Sequence, residues 1–171
     1  MTDAGSIARR LLIIDDDSAC RTTIGWLLRK LGHTVTTAES GSAGLALLRQ
    51  TPVDLVMTDL NMPGITGWTV ARLVKAMRPR LPVVLLTGDA YAIPLDQPER
   101  AWVDAILAKP CGVAAMQAVI GALTRDRADA GRVGGPQGGR CRVAYRYPRG
   151  KNPCGSGATC LPTRRSVSPP R

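Results

Sequence analysis

The sequence predicts an α/β protein: a doubly wound, five-stranded parallel sheet with helices on both faces, followed by a structureless tail. Two observations carry that reading: short apolar runs alternate with stretches of helical period, and four of the runs end in a residue with a chemical use. Leu11-Leu12-Ile13-Ile14 runs into Asp15-Asp16-Asp17, Leu55-Val56-Met57-Thr58 into Asp59, Val83-Val84-Leu85-Leu86 into Thr87, and Ala105-Ile106-Leu107-Ala108 into Lys109-Pro110. A run of this length reads as a strand buried on both faces, and open α/β sheets bind ligands at the carboxyl ends of such strands. Acids, a hydroxyl and an ammonium are therefore expected to converge on one crevice.

After the first strand, Cys20, Ile24, Leu27, Leu28 and Leu31 form an apolar stripe at helical spacing, and Gly32 follows as a C-terminal stop. Val35 to Ala38 gives a short second strand, and Gly41 to Gln50 a helix that ends before Pro52. Val70, Leu73, Val74 and Met77 mark a third helix, and Val113, Met116, Ile120 and Leu123 a last one. Pro94 and Pro98 interrupt the segment between Gly88 and Trp102, so the fourth helix is expected to be short, late-starting or replaced by a loop. The result is a three-layer βα domain over residues 9–125, with right-handed crossovers.

Charge separates the remainder from this domain. The 171 residues carry a net charge of +10, and 8 of those charges fall in residues 126–171. Fourteen of these last 46 residues are Gly or Pro and four are Leu, Val, Ile, Met or Phe, so burial is too small to offset ordering entropy. The expectation is a disordered basic tail. A metal-stapled module on Cys141, Cys154 and Cys160 is the alternative, disfavoured by the lack of histidine and of a CxxC pair. The tail arginines, with Tyr145 and Tyr147 among them, offer electrostatic binding to nucleic acid, although such tails are more often only solvated. A truncation or frame-shift remnant fits the same bias. The Arg9-Arg10 pair precedes too short an apolar stretch for a signal peptide, and no run approaches a membrane span. A soluble cytoplasmic protein with reduced thiols is expected.

The ordered set of motifs resembles the receiver domain of two-component response regulators, the CheY-like phosphoacceptor module with a flavodoxin-like fold. The resemblance rests on the acidic cluster after the first strand, Asp59-Leu60-Asn61-Met62-Pro63-Gly64 with Gly67, the Thr87-Gly88 pair, and Lys109-Pro110. It implies that Asp59 accepts a phosphoryl group from a histidine kinase or phosphotransfer protein. It further implies that Mg²⁺ is held by Asp16, Asp59 and the Asn61 carbonyl, with Asp15 acting through a water. Lys109 and Thr87 would stabilise phosphoryl charge, the Lys109-Pro110 bond would be cis, and output would pass by docking on a downstream protein. The implied role is that of a self-phosphorylating switch, not a turnover enzyme.

The chemistry matches that reading, because a carboxylate attacking a phosphorylated donor approaches negative charge that a hard cation must neutralise. Bland readings remain at single positions. Asp17 reads as a helix cap, and His33 as a surface residue after the cap. The sequence departs from the family at Ile106, where an aromatic residue coupled to the threonine is usual, and no effector motif follows Arg125. Two other classes compete. A haloacid-dehalogenase-type phosphatase would use Asp15-x-Asp17 as its first motif, and a binding-only pseudoreceiver would lack an acid or the lysine; none is lacking here.

Overall fold

The computed structural model describes residues 7–124 apart from Tyr91 and Leu95. The expectations for residues 126–171, including Cys141, Cys154 and Cys160, lie outside the described residues.

Strands β1 (Arg10–Ile14), β2 (Thr34–Ala38), β3 (Leu55–Asp59), β4 (Val83–Thr87) and β5 (Ala105–Ala108) alternate with α1 (Ser18–Lys30), α2 (Gly41–Gln50), α3 (Gly67–Met77) and α4 (Val113–Thr124). All pairings are parallel, in the order β2-β1-β3-β4-β5. The chain reverses its direction of travel across the sheet between β1 and β3, so a crevice opens at their carboxyl ends.

Pleating splits each apolar run between the two faces. Leu12 and Ile14 join Val56, Leu85 and Ile106 in one core cluster that includes buried residues of α2 and α3. Leu11 and Ile13 join Met57, Val84, Leu86 and Leu107 in the other, with Ile24 and Leu28 of α1 and Met116 and Ile120 of α4. Full burial of both faces explains why these strands read as unbroken apolar runs. Each such side chain contributes roughly 1.5–3 kcal/mol of hydrophobic stabilisation.

Helix starts follow short polar side chains. Asp17 caps α1 through Oδ1, which accepts from the Ala19 and Cys20 amides at 2.8 and 3.2 Å, in keeping with its position. Ser40 and Thr66 cap α2 and α3 in the same way. Gly32 follows α1 with φ of +87°, a conformation that favours glycine.

In place of a fourth long helix, the crossover from β4 to β5 holds a short 3₁₀ helix, Pro98–Trp102, in line with the two prolines. Trp102 and Ile93 pack on the α2/α3-side core. Lys75 in α3 anchors the end of this crossover, its Nζ lying 2.6 Å from Asp104 Oδ2, which also accepts the Val83 amide at 2.7 Å.

One expectation is corrected. His33 is not a surface residue: it is 6% exposed, and its Nδ1 accepts the Arg9 amide at 3.3 Å. The amide of His33 donates to Leu28 O, so the turn after α1 is folded back against the start of β1. Burial and the nearby Arg9 charge lower the imidazole pKa from its ordinary 6.5. Between that value and the lower folded one, the unfolded chain binds more protons than the folded chain. Stability present above the ordinary pKa is therefore lost as pH falls through the folded pKa. The urea midpoint is expected to drop between about pH 7.5 and pH 5.5. His33→Gln, which does not titrate there, should remove most of that slope.

Candidate functional site

The carboxyl ends of β1, β3 and β5 meet at one ammonium. Lys109, directly after β5, directs Nζ to Asp15 Oδ2 at 2.8 Å and to Asp59 Oδ1 at 2.5 Å. Asp15 is fully buried and Asp59 is 7% exposed, so both carboxylates need this partner. Burial pushes the Lys109 pKa down, but hydrogen bonds and charge from Asp15 and Asp59 outweigh it and raise the pKa above its ordinary value. The ammonium therefore stays charged throughout the neutral range.

The remaining carboxylate oxygens are also engaged. Asp15 Oδ1 accepts the Asp17 amide at 2.9 Å, and Asp59 Oδ2 accepts the Asn61 amide at 2.8 Å. Each acid is thus oriented by a backbone N–H two residues ahead, the bond typical of an Asx turn. Gly64, with φ of +85°, turns the loop back, and the Gly67 amide donates to Leu60 O. A Cβ at Gly67 would strike the Asp59 carbonyl oxygen, so only glycine lets α3 begin this close to β3.

The expected residues are not all in mutual contact. Asp15, Asp59 and Lys109 are brought together directly. Asp16 and Asn61 are exposed at the rim. Thr87 is buried at the end of β4, between β3 and β5; its Oγ1 accepts the Asp89 amide at 3.1 Å, and among the described residues it makes no hydrogen bond to Asp59 or the Lys109 side chain. The Lys109 amide donates to Thr87 O at 2.8 Å, which ties the two loops, and the Lys109-Pro110 peptide is cis. Cys20 and Cys111 flank the site as free thiols, pushed up in pKa by burial.

One contact lies outside the expectations from sequence. Arg21 Nη1 donates to the carbonyl oxygens of Asp15 and Asp16 at 2.6 and 3.3 Å. The signal available for it is a cation one turn into α1, facing back toward three acids.

The donor set suits Mg²⁺. Among the described residues no three His, Cys, Asp or Glu side chains converge closely enough to cage a metal. Mg²⁺ is usually bound through one or two carboxylates with several retained waters. Asp16, Asp59 and the Asn61 carbonyl, the residues that would hold it, are oxygen donors of that kind, and no hydrogen bond reaches the Asp16 carboxylate among the described residues.

A 2-1-3-4-5 parallel sheet with a lysine-bridged acid pair at its switch point has the architecture of a CheY-like signalling module. The chain belongs to the response regulator receiver domain family of two-component systems, whose family model matches residues 11–121. It is 38% identical over 104 residues to the chemotaxis protein CheY of Pseudomonas aeruginosa, covering 59% of this chain and 84% of that one. It is 45% identical over 78 residues to the transcriptional regulatory protein AfsQ1 of Streptomyces coelicolor, covering 46% of this chain. The virulence sensor protein BvgS of Bordetella pertussis is 36% identical over 121 residues, or 65% of this chain. The chain spans 34% of the length of AfsQ1 and 10% of BvgS.

Among solved structures, a receiver domain protein from Clostridium thermocellum superposes with a TM-score of 0.65 at 28% identity, covering 72% of this chain and 99% of that one. TrrA of Thermotoga maritima, solved in complex with Mg²⁺-BeF, gives 0.63 at 25% identity, with 67% and 98% covered. No helix among the described residues is long and apolar enough to cross a membrane.

Lys109→Met leaves the buried Asp15 and Asp59 charges facing each other without a counter-ion. The expected loss in unfolding free energy at neutral pH is about 1–3 kcal/mol, measured by urea titration.

Proposed function

We propose that this chain is a phosphoacceptor switch that takes a phosphoryl group onto Asp59 from a histidine kinase or phosphotransfer protein and signals by docking on a downstream protein. One observation carries the reading: Lys109 Nζ bridges Asp15 and Asp59 at the sheet's switch point. Beside it stands a rim acid, Asp16, whose carboxylate no donor among the described residues engages.

In the reaction, a carboxylate oxygen of Asp59 attacks phosphorus, the bond from phosphorus to the donor nitrogen breaks, and the imidazole leaves with its electron pair. Asp59 is held ready for this by the Asn61 amide on one oxygen and Lys109 on the other. Lys109 then follows the charge, exchanging its contact with Asp59 for one with a phosphoryl oxygen. The Thr87 hydroxyl, at the adjacent strand end, donates to another phosphoryl oxygen. Asp16, Asp59 and the Asn61 carbonyl would hold Mg²⁺, with Asp15 as an outer partner, and the ion would supply positive charge to offset repulsion between the donor and the acids. The complex of TrrA with Mg²⁺-BeF supports this assignment of the metal.

A haloacid-dehalogenase-type phosphatase fits less well. The two acids that imitate its first motif are committed elsewhere, Asp15 to Lys109 and Asp17 to the cap of α1.

Incubation with acetyl phosphate and Mg²⁺ is expected to add one phosphoryl mass to the wild-type chain by intact-protein mass spectrometry, and none to Asp59→Asn or to a metal-free sample. Absence of the adduct from a folded wild-type chain, with no binding of beryllofluoride, would favour the pseudoreceiver. Asn61 and Asp89 are both exposed, and these small polar residues would admit an attacking water to the phosphoform. Asn61→Arg is expected to slow decay of the phosphoform several-fold, measured by loss of the same mass over time.

A further inference from the structure

Arg21 occupies an electrostatically unfavourable position. It lies in the first turns of α1, where its amide donates to Asp17 O, and a cation near a helix N-terminus opposes the macrodipole. Its side chain reaches back toward that terminus, as helical side chains do. There Nη1 meets the carbonyl oxygens of Asp15, at 2.6 Å, and Asp16, at 3.3 Å. Both lie beyond the β1 ladder, which ends at Ile14.

The two acids are positioned by different means. Asp15 is fixed by its own side chain, through Lys109 and the Asp17 amide. Asp16 is exposed and its carboxylate has no such bond among the described residues, so its direction follows from its backbone. Two side chains hold that backbone: Asp15, whose Oδ1 accepts the Asp17 amide, and Arg21, which alone of the two binds carbonyl oxygens on both sides of the Asp16 Cα.

We propose that Arg21 is a positioning residue: by clamping the carbonyls of the two peptide units that flank the Asp16 Cα, it aims the Asp16 carboxylate and so sets the divalent-cation affinity of the site. This rests on the function proposed above. Charge alone makes the opposite prediction, since removing a cation near a Mg²⁺ site should tighten binding.

Calorimetric titration of the full chain with Mg²⁺ at constant ionic strength separates the two. Arg21→Met is expected to bind Mg²⁺ about tenfold more weakly, the usual scale for losing a residue that orients a ligand. The rate of phosphorylation by acetyl phosphate at saturating Mg²⁺ should stay within about twofold of wild type, because the reacting groups are untouched. Arg21→Lys, which keeps the charge and one donor group, should recover part of the affinity. Circular dichroism and a urea titration establish that both variants are folded. Unchanged or tighter Mg²⁺ binding by folded Arg21→Met overturns the inference while leaving the function standing. Failure of the wild-type chain to bind Mg²⁺ overturns the function and the inference together.

Discussion

The contact on which the site depends is the ammonium of Lys109 between two buried carboxylates. Asp15 follows β1, Asp59 ends β3 and Lys109 follows β5, so this single group ties together three strand ends that are 44 and 50 residues apart in sequence. Without it, like charges would be held in a crevice where water cannot screen them. The tight turn at Gly64, the close approach at Gly67 and the cis peptide before Pro110 all shape loops around that point.

In the proposed function, the same bridge would connect resting structure to chemistry. A buried carboxylate is usually neutralised by protonation or by a fixed partner, and either would blunt a nucleophile. A lysine on a flexible stem is a partner that can move with developing charge. The amide of Asn61 holds Asp59 by its other oxygen, so the carboxylate does not depend on Lys109 alone for its direction.

Much of this is legible in the sequence because β1, β3, β4 and β5 are buried on both faces and are therefore written as nearly uninterrupted apolar runs. The polar residue after each run then reads as lying at one edge of a common sheet. The Asp17 cap and the broken fourth crossover are equally visible, since caps and prolines act locally. His33 escapes such reading because it is buried by tertiary packing, with its ring nitrogen bonded to the Arg9 amide, a partner 24 residues away. Arg21 carries no distinguishing periodicity, and its two acceptors are backbone atoms, which no residue pattern reveals. The Lys75–Asp104 pair is hidden for a similar reason, lying 29 residues apart.

The parallel strands also determine where the chain enters and leaves. β1 begins at the pole opposite the acids, and α4, running back from the lysine loop, returns there at Thr124 after 12 residues, or about 18 Å. Both ends of the described domain thus sit on the side away from the chemistry. A partner module can be spliced before or after such a unit without obstructing the crevice, and this makes the domain an interchangeable cartridge.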